Sequence, residues 1–95
     1  MENENLYRQK MEAQLKEWSA QIDLLEAKIK NAGADVKLKQ SQEIQVLREK
    51  QQAAVEKMHE LGRASGAAWE QVKLTADQVW ADLKAGLHDA QSRFK

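Results

Sequence analysis

Cysteine is absent from this sequence, which excludes disulfide staples, thiol chemistry and cysteine-based zinc sites. Proline is absent as well, and glycine occurs only four times, so few residues punctuate the chain. Net charge is also missing: 15 basic groups balance 15 acidic ones. The balance persists along the chain, with 5 basic and 6 acidic residues in 1–33, 5 and 5 in 34–62, and 5 and 4 in 63–95. No third supplies a basic face to follow a phosphate backbone, so nucleic acid is not an expected partner. Apolar runs stop at two or three residues, far short of a membrane-spanning helix. The opening Met1-Glu2-Asn3-Glu4-Asn5 is polar and acidic where a signal peptide is basic and then apolar. A cytoplasmic location is the expectation.

What is present favours helix. Ala, Gln, Glu, Lys and Leu dominate, and all are good helix formers. At 95 residues the chain is expected to be one domain, 1–95, with a modest core. The first segment carries Met11, Leu15, Trp18, Ile22, Leu25 and Ile29, which step alternately by four and three, as the inner seam of packed helices does. Glu12–Lys16 and Glu26–Lys30 are spaced to pair on its wet side. Asn31-Ala32-Gly33-Ala34-Asp35 then interrupts, with Gly33 suited to a left-handed cap and Asp35 to capping the next helix.

The second segment keeps the alternation through Ile44, Leu47, Gln51, Ala54, Met58 and Leu61, although Gln51 and Ala54 thin the stripe. Gly62 and Gly66 suggest a second break, with Ser65 as N-cap. The third segment carries Trp69, Val72, Ala76, Trp80, Leu83, Leu87, Ala90 and Phe94 on one face, with Asp89 and Arg93 spaced to pair opposite. The spacing predicts helices over about 5–31, 35–61 and 67–93, each about 40 Å long. Equal lengths and short turns predict an all-α fold, an antiparallel three-helix bundle or helical coiled-coil hairpin. In such a bundle Trp18 and Trp80 fall at one level, Trp69 lies by Met58, Leu61 and Met11, and Phe94 lies by Ile29 and Val36. The rival is one long helix over 36–93, with the Trp69–Phe94 face covered by a second chain.

Chemistry is hard to find. Glu56-x-x-His59 has the spacing of metal ligands in helical bundles, but such a site needs a second motif, and Ala85 stands three residues before His88. No phosphate-binding glycine loop or Ser-His-acid set is recognisable. The expectation is no enzyme, no cofactor, no metal and no catalytic residue. The residues expected to matter form a packing or interaction face: Trp18, Ile22, Leu25, Met58, Trp69, Val72, Trp80, Leu83, Leu87 and Phe94. Tryptophans on a helix face also suit a membrane interface, although Glu70, Asp77, Asp82 and Asp89 stand where a surface helix usually carries Lys and Arg.

The stretch from Glu17-Trp18-Ser19-Ala20-Gln21 to Lys28, then Ser65-Gly66-Ala67-Ala68-Trp69-Glu70-Gln71-Val72-Lys73, Trp80, and the closing Ser92-Arg93-Phe94-Lys95 resemble a family of small bacterial coiled-coil proteins. The resemblance covers nearly the whole chain, and some members carry a stress-response label. Asn31-Ala32-Gly33 departs from the more uniformly helix-forming middle of that family. The resemblance implies a bacterial, cytosolic, non-enzymatic protein and supplies no catalytic residues. The first expectation for function is therefore helix packing with itself or with an unidentified protein partner. The alternative is a peripheral lipid-surface binder that uses the Trp-bearing face of the third helix.

Overall fold

The computed structural model describes residues 2–94. They form α1 (Glu2–Ile29), α2 (Ala34–Arg63) and α3 (Gly66–Arg93), a three-helix bundle measuring 51 × 18 × 17 Å. Glu43 and Lys50 of α2 pair with Arg93 and Asp82 of α3, and Arg48 and Ile44 of α2 lie by Glu26 and Ile29 of α1, so neighbouring helices run antiparallel. α1 and α3 are consequently parallel. The long-helix rival is overturned by the break between α2 and α3.

Both breaks differ in detail from the sequence expectation. Gly33 has φ −61° and ψ 159°, an extended conformation rather than a left-handed one, and it is the N-cap of α2. Its carbonyl accepts the first helical bond from the Lys37 N–H at 2.8 Å. Asp35 is therefore not the cap but lies in the first turn, where its carboxylate meets the positive end of the helix dipole. The α1 end is tightened by the Ala32 N–H donating to the Ile29 carbonyl at 3.1 Å. At the second break α2 continues through Gly62 to Arg63, and the chain turns on extended Ala64 and Ser65. Ser65 is the N-cap of α3, but its side chain makes no capping bond. A Cβ at Gly62 would meet the Arg8 guanidinium at 3.2 Å, a contact that a small shift of this flexible side chain relieves.

The three predicted stripes meet along the axis. Met11, Trp18, Ile22, Leu25 and Ile29 from α1, Ile44, Leu47, Ala54, Met58 and Leu61 from α2, and Trp69, Ala76, Trp80, Leu83, Leu87, Ala90 and Phe94 near and along α3 are all buried. Leu15, Gln51 and Val72 are only partly buried, and Val36 is 52% exposed and stands outside the core cluster that joins Phe94 with Ile29. No polar or charged residue is buried among the described residues. α2 packs closely on both neighbours, whereas the α1 and α3 backbones approach each other sparsely. Large rings fill that wider gap, with Trp18 and Trp80 meeting at 6.2 Å between centroids.

The ion pairs expected along single helices give way to pairs between helices. Glu26 is held by Arg48 of α2 at 2.7 Å instead of by Lys30. Arg93 reaches Glu43 at 3.0 Å instead of Asp89. A long guanidinium spans the seam between helices and donates to two acids at once, as Arg48 does to Asp23 and Glu26, which a lysine four residues along cannot match.

Candidate functional site

Nine of the ten residues expected to form a packing face are buried inside this single chain, and Val72 is half-buried. Trp18, Ile22, Leu25, Met58, Trp80, Leu83, Leu87 and Phe94 share the main core with Met11 and Ile29. Trp69 stands apart, in a smaller cluster with Leu61 and Ala76 at the α2–α3 turn. The expected neighbours Met58 and Met11 belong to the main core, and the aromatic partner of Trp69 is Tyr7. The sequence stripe begun at Met11 missed Tyr7, although its position four residues earlier on the same face could have found it.

Around Tyr7 the structure assembles a small polar-aromatic site. The Tyr7 and Trp69 rings meet edge to face at 5.5 Å, and Lys73 Nζ lies 5.3 Å from the Tyr7 ring centroid and 5.6 Å from that of Trp69. The Tyr7 hydroxyl donates to the Asp77 carboxylate. Burial, then that hydrogen bond and the nearby negative charge, push the Tyr7 pKa up. The phenol therefore stays a protonated donor and is neither base nor nucleophile at neutral pH. It ties α1 to α3.

The raised pKa has a consequence for stability. A proton held more tightly in the folded state stabilises fully below the ordinary tyrosine range near 10, and the contribution is lost as pH rises beyond it. Wild type is expected to lose more stability than Tyr7→Phe when denaturation is followed from neutral to strongly alkaline pH. Parallel curves for the two proteins would show that the phenol is not held in this way.

Other candidates supply little chemistry. Glu56, His59 and His88 are exposed. Among the described residues no three His, Cys, Asp or Glu side chains are grouped to hold a metal. The indole N–H groups of Trp69 and Trp80 are buried without a partner among the described residues, so these rings act as volume rather than as hydrogen-bond anchors.

The concave surfaces lie between helices. A cleft of about 530 Å³ between α1 and α3 is floored by Trp18 and Leu87 and walled by Ala81, Ala85 and Gln21. A second cleft of about 350 Å³ continues it past Leu24 and Leu25 to Lys28. Gln91 and Gln21 line both clefts and are hydrogen-bonded at 3.0 Å. On the α1–α2 side, a cleft of about 550 Å³ lies over Ile29 and Ile44 and is edged by Lys30, Lys37, Glu26 and Arg48. None of the described helices is long and apolar enough to cross a membrane. Comparison with protein-family models, curated proteins and solved structures finds no match.

Proposed function

We propose that this chain is a non-catalytic helical protein that works by packing against a second helix, from another copy of itself or from a protein partner. The α1–α3 groove carries the reading. Aromatic side chains hold these two helices apart, and the groove so formed has Ala81 and Ala85 beside the Trp18 ring and Leu24 further along, with the hydrogen-bonded Gln21 and Gln91 between the two stretches. Small residues on the walls let a fourth helix approach closely, and Leu24, 64% exposed, supplies an apolar contact at its edge. A bacterial, stress-associated role is what the family resemblance adds. Contact with lipid through the Trp-bearing face of α3 requires that helix to leave the bundle, because Trp69, Trp80 and Phe94 are spent inside it.

The test replaces the groove walls with charge. Wild type is expected to associate with rising concentration in sedimentation velocity, and Leu24→Glu/Ala85→Glu to remain helical but monomeric. A wild-type chain that stays monomeric at high concentration removes self-packing. Photo-crosslinking from position 24 in cells that yields no protein adduct removes the partner.

A further inference from the structure

The end of the bundle at the α1–α2 turn is built unlike the rest of the surface. Residues 27–42 contain Lys28, Lys30, Lys37 and Lys39 against the single acid Asp35. A division of the sequence into thirds hides this, because the turn joins the basic end of one helix to the basic start of the next. Below the tip, Asp23 and Glu26 hold Arg48 and Glu43 holds Arg93, while Asp89, in the same cleft as Glu43, has no ion-pair partner among the described residues. None of the four lysines has an ion-pair partner among the described residues, and all four are exposed.

The tip also projects. Arg93, the last residue of α3, is level with Glu43, so the nine residues of α2 before Glu43 extend about 13 Å past the end of α3. Two apolar side chains are exposed on this projection, Val36 at 52% and Leu38 at 64%. They flank α2 on opposite sides and lie within about 6 Å of its start along the axis. Below them the α1–α2 cleft has an apolar floor, Ile29 and Ile44, and is lined also by Lys30, Lys37, Arg48 and Glu26.

We infer that this tip docks on an anionic lipid surface, with the bundle standing on its α1–α2 turn. Uncompensated lysines meet the negative headgroups, and Val36 and Leu38 enter the interface, whose usable depth is about 5–10 Å. Interleaved lysines and exposed aliphatic groups on one protruding end match that surface in both charge and apolarity. A soluble polyanion would use only the first. The bundle stays closed throughout, so the tryptophans take no part and the α1–α3 groove remains free.

The absence of cysteine allows one reporter at a time. The full chain carrying Asn31→Cys, at the tip, or Ser65→Cys, at the opposite end, is labelled with a polarity-sensitive dye. Each is mixed with vesicles of phosphatidylglycerol and phosphatidylcholine, or of phosphatidylcholine alone. Only the tip label on the anionic vesicles is expected to shift to the blue. Lys30→Gln/Lys37→Gln should lower partitioning about 25-fold, at about fivefold per lysine, whereas Lys16→Gln/Lys84→Gln should change it little. Val36→Asn/Leu38→Asn should abolish the shift while circular dichroism shows intact helices. Equal losses from the tip and distant lysines, or equal shifts at both labels, would overturn the proposal. So would polyglutamate binding as tight as vesicle binding, which assigns the tip to an acidic protein.

Discussion

Truncating Trp18 or Trp80 to alanine is expected to cost about 3–5 kcal/mol each, with the double variant departing from the sum by about 0.5–3 kcal/mol. Each ring is nearly enclosed, at 9% and 5% exposure, and the two lie 6.2 Å apart with planes inclined by 47°. Burying an indole removes about 150–250 Å² from water, worth about 4–6 kcal/mol. The whole domain holds only about 5–14 kcal/mol by its size, so either truncation consumes a large share. The coupling follows from contact. Once one ring is gone, the other faces a cavity and has less to lose. Denaturant unfolding followed by circular dichroism measures all four corners of the cycle. A parallel cycle with phenylalanine keeps the experiment readable if the alanine variants do not fold. Losses that add within about 0.3–0.5 kcal/mol in both cycles would contradict the shared aromatic layer.

The second large effect is a contrast within one helix. Leu83 is 0% exposed and Leu74, nine residues earlier, is 66% exposed. Leu83→Asp places an unpaired carboxylate in an apolar core and removes a leucine's packing as well. The expected cost is about 5 kcal/mol or more, enough to abolish the cooperative helical transition. Leu74→Asp is expected to stay within about 0.5 kcal/mol of wild type. Leu83→Ala, with an expected cost of about 2–5 kcal/mol, gives a measurable intermediate. Comparable melting of Leu83→Asp and wild type would mean that this face of α3 is not in the core.

Why the core was so legible is visible in these residues. A three-four alternation determines which side of a helix is apolar whatever the turns do, and equal segment lengths then put Trp18 and Trp80 at one level. The caps were less legible. Gly33 permits a left-handed turn but does not require one, and the extended N-cap it adopts is open to many residues. Gly62 resembles a terminator only if glycine is read as a breaker. Here the helix tolerates it for one more residue, and Arg8, 54 positions away in sequence, occupies the space beside it. Likewise the helix-internal ion pairs lost to Arg48 and Arg93 depend on which helix lies alongside, a fact that no local spacing carries. The α1–α3 groove was not legible at all. Its walls are alanines, glutamines and a leucine outside the stripe, and they become a surface only once the rings set the distance between the helices.

The sparse approach of α1 to α3 bears on how the chain reaches this state. Most tertiary contacts join helices adjacent in sequence, α1 with α2 and α2 with α3, and each pair closes through a short turn. Contacts that span the chain, such as Tyr7 with Asp77 and Gln21 with Gln91, are few. Little loop-closure entropy has to be met before the first helices pair, which places the chain among the microsecond-to-millisecond folders. Either hairpin can form first, and the meeting of Trp18 with Trp80 waits until both have closed. In a Trp69→Phe background, indole fluorescence is therefore expected to report a late event, after the far-ultraviolet helical signal has largely developed.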